Sequence, residues 1–363
     1  MIPITRPFLP PRAEFEALLD EVWERRWLTN NGPLVHRLET ALGASIGAPH
    51  LRCVSSGTMA LQLAVRALAL DGEVVTTPFS YVATTSALVW EGCTPVFADI
   101  EANTLTIDPA SVDAAITPRT SAIVATHVFG SPCDVDALEA IGRARGLPVV
   151  YDAAQAFGTT VGGRSVLTFG DVSTCSFHAT KVFHTIEGGA VISPDEQIVE
   201  AVERLRNFGH VGYTTFDGLG INAKVSEVHA AMGLCVLTHL DRLLARRREI
   251  ADRYRAGLAG LVDEGRVRPQ HHRSGATVNH AYVPYLFEDH ARREKVHAAL
   301  VAHDVHPRRY FSPGLNELDY VKPVALEVAD DVAARVLCLP TYHDLTDAEV
   351  ERVVAVVVGA HRR

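Results

Sequence analysis

Apolar and polar positions alternate in two rhythms along this chain. Short apolar runs at 51–56, 73–78, 94–100, 120–130, 147–154, 170–178 and 188–193 read as seven strands. Between them, stretches at 57–70, 81–92 and 134–146 carry apolar residues at three- and four-residue spacing and read as helices, the last two closed by Gly92 and Gly146. Strands alternating with helices imply βαβ units and a mostly parallel sheet buried on both faces. From Val225 to Leu261 the pattern is helical without proline, which predicts one long helix or two with a kink near Gly233. A strand at 278–287 and a helix at 289–304 follow. The opening "IPITRPFLPP" should lie extended, because proline lacks an N–H donor and biases its predecessor away from helix. The expected architecture is α/β, with a large domain at 1–240 and a smaller α+β domain at 241–363.

Composition narrows the function classes. Of 363 residues, 47% are hydrophobic, enough for a large core, and the net charge is -9. An acidic chain without a Lys/Arg block is a poor partner for nucleic acid or for an anionic membrane surface. No secretory leader or long apolar span is visible, so a cytoplasmic location is expected. The six cysteines are scattered without a C-x-x-C pair, which suits buried free thiols in a reducing compartment. The 17 histidines form no metal-binding spacing, so no metal is expected.

Three features could carry chemistry. In "SSGTMAL" a strand runs into a Ser-Gly-Thr turn that opens a helix. The first N–H groups of a helix lack internal partners and favour an anion, so Gly57 and Thr58 make a candidate phosphate cradle, although a plain helix cap has the same pattern. In "VVYDAAQAFG", Asp152 ends a wholly apolar strand, where open α/β sheets bind ligands, and Gln155 follows three residues on. A carboxylate there seeks a cation, or caps the next turn. In "SFHATKVFHTIEGG", Lys181 has no acidic residue within five positions. It is either a solvated loop lysine or an amine kept for its reactivity, and desolvation by Phe177 and Phe183 would favour the neutral nucleophile. One cofactor explains all three. Pyridoxal 5'-phosphate needs a lysine for its Schiff base, a carboxylate for its pyridine nitrogen and an anion site for its phosphate.

The segments "NGPLVHRLE", "SSGTMALQLA", "PFSYVAT", "CTPVFADI", "DAAQAFG", "SFHATKVFHTIEGGAV" and "NAKVSEVHAAMG" occur in the order found in the DegT/DnrJ/EryC1/StrS family of sugar-nucleotide aminotransferases. The chain resembles that family over nearly its whole length, and looks closest to members that aminate a dTDP-4-keto-6-deoxyglucose. The resemblance implies a fold-type-I enzyme with a mostly parallel seven-stranded sheet. It implies that Lys181 holds the cofactor and shuttles protons, that Asp152 meets the pyridinium nitrogen and Gln155 the phenolic oxygen, and that Tyr81 stacks on the ring. Gly57, Thr58 and Ser176 would hold the phosphate. Asn222 would reach it from the neighbouring subunit, making a homodimer with shared active sites. His178, His184, Arg308, Arg309 and Tyr310 would approach the nucleotide sugar, and L-glutamate would donate the amine. One departure stands out. Relatives commonly carry "NYRMSE" where this chain has "NAKVSE", so Lys224 supplies a charge there but not an arginine's planar fork. The competing readings are a 3-keto sugar nucleotide or aminocyclitol aminotransferase, a sugar dehydratase, which would carry histidine in place of Lys181, and a non-catalytic regulatory protein that holds the cofactor.

Overall fold

A computed structural model describes residues 1–362. The strands, in chain order, are β1 (His50–Val54), β2 (Glu73–Thr76), β3 (Thr94–Phe97), β4 (Thr120–Thr126), β5 (Val149–Asp152), β6 (Thr160–Val161), β7 (Arg164–Ser165), β8 (Val172–Ser176), β9 (Gly189–Ser193), β10 (Val267–Pro269), β11 (Ala276–Thr277), β12 (Val283–Phe287) and β13 (Val336–Leu339). The seven expected strands form one sheet in the order β1-β9-β8-β5-β4-β2-β3. Only β9 runs against the others, since it pairs antiparallel with both β1 and β8 while the remaining pairings are parallel. Strands β5 and β9 are buried at every position, including Asp152 and Ser193 at their ends, as strands covered on both faces are.

Helices cover both faces. Gly57–Ala67 packs against β8 and β9, and Pro33–Ile46 packs against Glu227–Thr238. The parallel arrangement points the carboxyl ends of β1, β2, β4, β5 and β8 to one edge of the sheet, so the loops after them converge there.

A second sheet, β10-β12-β13, carries its own apolar core with Leu240–Asp263, His290–Ala302 and Asp347–Arg362. The N-terminal arm crosses to this core. Ile2 is buried in it and bridges Val305, and the Thr341 N–H donates to Ile4 O at 3.0 Å. A short ribbon, β11-β6-β7, links the two halves of the chain.

Three elements depart from the sequence reading. The long helical stretch breaks at His239, with a 61° bend between Glu227–Thr238 and Leu240–Asp263, and not at Gly233. Gly233 is glycine for a different reason, because a Cβ there would lie 2.7 Å from Thr185 Cγ2 and 3.1 Å from Leu38. The strand expected at 120–130 stops at Thr126, and Phe129 turns the chain with φ 58°. The strand expected at 278–287 starts at Val283, since Asn279 is used as a buried brace, donating to Gln155 O and Phe157 O at 2.9 Å each. All six cysteines are free and buried. Among the described residues no single helix is long and apolar enough to cross a membrane, and no cluster of three or more His, Cys, Asp or Glu could hold a metal ion.

Candidate active site

A cavity of about 400 Å³ opens at the carboxyl edge of the sheet, and most of the sequence candidates line it. The end of β1 brings Ser56, Gly57 and Thr58; β5 brings Asp152 and Gln155; β8 brings Ser176; the β8–β9 connection brings His178 and Lys181; Tyr81 and Tyr310 close the sides.

The Ser56 hydroxyl caps the helix by accepting from Met59 N–H at 3.1 Å, and Gly57 and Thr58, whose N–H groups have no intrahelical partner, line the cavity. Gly57 lies so close to β8 that a Cβ would sit 2.6 Å from Ser176 Cβ. The cap and the cradle are therefore one structure, with glycine required by close approach. Gly57→Ala is expected to push the helix start away from β8, costing about 1–3 kcal/mol of stability. Cofactor retention should also fall at least tenfold, read by thermal melting and by titration with pyridoxal phosphate.

Asp152 is 3% exposed. Its Oδ2 accepts from Thr84 Oγ1 at 2.6 Å and its Oδ1 from Ala154 N–H at 3.0 Å. Ser80 Oγ lies 2.8 Å from Thr84 Oγ1 and extends the chain of hydroxyls. Burial pushes the Asp152 carboxyl above the usual carboxylate range, and Thr84, the Ala154 N–H and the positive charge of Lys181 pull it back. A buried acid whose ionised form is under-compensated suits a cationic ring nitrogen. Thr84 was not foreseen from the sequence, because a threonine inside an apolar helical pattern carries no local signal.

Gln155 is 4% exposed, and its Oε1 accepts from Phe129 N–H at 2.7 Å. With the oxygen engaged, the carboxamide NH₂ is the end available to an acceptor in the cavity. Asn279 braces the backbone beneath it.

Lys181 sits on a pinned loop. Phe177 N–H donates to Gly188 O at 2.8 Å, Thr185 N–H to Phe177 O at 2.9 Å, and Lys181 N–H to His178 O at 2.9 Å. The glycine pair permits this closure, since a Cβ on Gly189 would lie 2.6 Å from the Ser56 backbone. The aromatic surroundings differ from expectation. Phe177 and Phe183 turn away from the cavity and pack with Phe157, ring centroids 4.6–6.0 Å apart, as a foundation under the loop. Lys181 itself is half-buried.

The two histidines separate. His178 lines the cavity, its Nδ1 is 2.8 Å from Thr180 Oγ1, and its Nε2 is 3.7 Å from Glu187 Oε1. His184 does not reach the cavity. It is 1% exposed, donates from Nε2 to Phe8 O at 2.6 Å and accepts from Ile186 N–H at Nδ1, so both ring nitrogens are engaged. It fastens the N-terminal arm to the lysine loop, and the expectation that it touches substrate is corrected accordingly.

A second cavity of about 400 Å³ shares Tyr81, Tyr310 and Phe311 with the first and adds Arg308 and Arg309. Arg309 reaches Glu294 at 3.1 Å, and the Arg308 backbone pairs with Cys338. Asn222 lies outside both cavities. It is exposed, at the base of an arm spanning 207–222, where it bridges Asn207. Lys224 lies over the Phe208 ring at 5.1 Å, and burial with the nearby Arg206 charge holds its amine below the ordinary lysine range.

The residues fit pyridoxal phosphate: a glycine cradle with free N–H groups at one end, a buried acid in need of a cation at the other, and an amine on the loop alongside. Comparison with known proteins agrees. The chain is 38% identical to the dTDP-4-amino-4,6-dideoxy-D-glucose transaminase of Escherichia coli, covering 99% of this chain and 98% of that one. It is 40% identical to the Shigella dysenteriae enzyme of the same name, covering 98% and 97%. The crystal structure of DesI in the presence of its TDP-sugar product superposes with a TM-score of 0.93 at 38% identity, covering 99% of this chain and 93% of that one. Residues 11–358 match the DegT/DnrJ/EryC1/StrS aminotransferase family, and the chain belongs to it.

Proposed function

We propose that this aminotransferase moves an amino group from L-glutamate to the C4 keto carbon of a nucleotide-linked 4-keto-6-deoxyhexose, dTDP-4-dehydro-6-deoxyglucose, giving a 4-amino-4,6-dideoxy sugar. The observation that carries the reading is a single cavity that joins Gly57, Asp152 and Lys181 and opens, past Tyr310, onto two arginines. The relatives named for the 4-amino-4,6-dideoxyglucose product support the choice of C4.

The cofactor is pyridoxal 5'-phosphate, which when bound accepts the electron pair left on the substrate carbon as a proton departs. The chain's residues do the rest. Gly57 and Thr58 N–H groups and the Ser176 hydroxyl would hold its phosphate. Asp152 would pair with the ring nitrogen, and Thr84 fixes the direction of its carboxylate. Gln155 would donate to the ring oxygen from its carboxamide NH₂, and Tyr81 would pack beside the ring. Lys181 would supply the amine that binds the cofactor, and its Nζ is the group in the cavity placed to hold and move a proton. Arg308 and Arg309 meet the diphosphate, Tyr310 separates the two cavities, and His178 orients the sugar.

The working unit in this reading is a homodimer. Asn222 sits on an arm that exposes Phe208, Val211, Tyr213, Phe216 and Leu219, an apolar surface suited to burial against a second copy. Asn222 then reaches the neighbouring subunit's phosphate. Residues 1–240 act as the large domain and 241–363 as the small one, with the N-terminal arm strapped across both.

The test is a panel of dTDP- and GDP-linked 4-keto and 3-keto sugars incubated with L-glutamate and read by mass. Aminated dTDP-6-deoxyhexose from the 4-keto substrate is expected. Product from a 3-keto sugar alone, or only from a ketone that is not a sugar nucleotide, overturns the assignment.

A further inference from the structure

The strongest unexplained group outside the cavity is Arg206, a fully buried guanidinium at the root of the 207–222 arm. Strand β1 is an edge strand, so the outward N–H and C=O of Cys53 have no neighbouring strand to pair with. A side-chain ion pair takes that place. Cys53 N–H donates to Glu39 Oε1 at 2.8 Å, Arg206 Nη1 donates to Cys53 O at 2.5 Å, and the same Nη1 meets Glu39 Oε1 at 2.6 Å. Nη2 reaches Glu203 Oε2 at 2.5 Å, and Glu203 also accepts from Arg52 and Asn31.

The backbone completes a second link. Ala223 N–H donates to Arg206 O at 2.9 Å, and Ser55 N–H donates to Ala223 O at 2.8 Å. Arg206 thus grips β1 by its side chain at Cys53, and the residue just after the strand, Ser55, through Ala223. Ser55 runs directly into the cradle at Gly57. On the other side, Asn207 and Asn222 bridge each other immediately beyond Arg206 and Ala223, so the arm leaves and returns at this point. A buried ion pair of this kind adds little stability over a well-packed apolar pair, but it fixes directions that apolar packing does not.

We propose that Arg206 is a positioning residue that makes the phosphate cradle of one active site and the arm that completes the neighbouring subunit's site a single rigid unit. This inference rests on the shared-site dimer proposed above. Loosening Arg206 therefore weakens cofactor holding in trans, at a site whose own residues are all intact.

Heterodimers test this. Each pairs a wild-type subunit with a Lys181→Ala subunit, so that only one lysine can bind cofactor and give the visible absorbance of the lysine-bound form. Adding Arg206→Lys to the Lys181→Ala subunit keeps the charge but loses the fork. It is expected to weaken pyridoxal phosphate binding at the wild-type lysine about tenfold, and Glu203→Gln severalfold in the same direction. Asn222→Ala in the same subunit is the control for sharing. If Asn222→Ala weakens binding in trans while Arg206→Lys and Glu203→Gln leave it unchanged, the inference is overturned and sharing stands. If Asn222→Ala is silent too, the shared site fails and the inference falls with it. Should Arg206→Lys not yield a folded dimer, Glu203→Gln alone decides, because Glu203 is part-exposed and its loss leaves the Arg206–Glu39 pair in place.

Discussion

Lys181→Ala is expected to lower turnover by at least about 10³-fold while leaving the melting temperature of the cofactor-free protein essentially unchanged. The two halves of this result come from different parts of the structure. The lysine loop is held by backbone bonds from Phe177 to Gly188 and from Thr185 to Phe177, and by the Phe157, Phe177 and Phe183 rings beneath. None of these uses the lysine side chain, which is half-buried at the cavity wall. Removing it deletes the only primary amine lining the cavity among the described residues and disturbs no packed core. Lys181→Arg separates charge from nucleophilicity. It keeps a cation near Asp152 yet cannot bond covalently to the cofactor or carry the proton, so it should be as inactive as the alanine variant. Steady-state rates with L-glutamate, together with borohydride labelling of residue 181 in the wild type, check both points. An arginine variant with substantial turnover would remove Lys181 from the chemistry.

What could be read from the sequence follows from how local each signal is. The seven sheet strands were legible because each is a short apolar run closed by turn residues, and the site lies where those runs end. Gly57, Asp152 and Lys181 each stand at such an end, so pattern alone brought them to the same edge. Thr84 and Asn279 were not legible. Each supports a site residue distant in the sequence, and nothing near a threonine at 84 announces a carboxylate at 152. His184 and Phe183 misled for a related reason. Nearness to Lys181 along the chain suggested nearness to the cavity, but the loop turns those side chains toward the arm and the core. The bend at His239 escaped because both flanking segments keep a helical period, and the change of direction is set by what each packs against. Arg206 carries no local signal in the sequence, and its role appears only when β1 is seen to be an edge strand.

Asp152→Asn should cost about 10²–10³-fold in kcat, and it should do so without destabilising the cofactor-free protein at neutral pH. The sign follows from the burial of the acid. Desolvation raises the folded-state carboxyl above its unfolded value, against the opposing pull of Thr84, the Ala154 N–H and Lys181. A raised acid contributes stability below its unfolded pKa, and that contribution is lost as pH rises through the folded value. The empty site therefore loses stability as pH rises through the folded Asp152 value, a loss that a neutral asparagine avoids while its side-chain oxygen can still accept from Thr84. The loaded enzyme behaves oppositely. In the proposed role the carboxylate would pair with the protonated ring nitrogen, and asparagine could not hold that proton in place. The expected pattern is a cofactor-free melting temperature equal to or above wild type, a smaller gain in melting temperature on adding pyridoxal phosphate, and a large loss of kcat. A structural role alone predicts the reverse ordering, with the cofactor-free protein weakened and the kcat of the surviving enzyme intact. Thr84→Val supplies the intermediate case, since it removes the donor that directs Oδ2 but keeps the charge, so a loss of about tenfold in kcat places orientation below charge in importance.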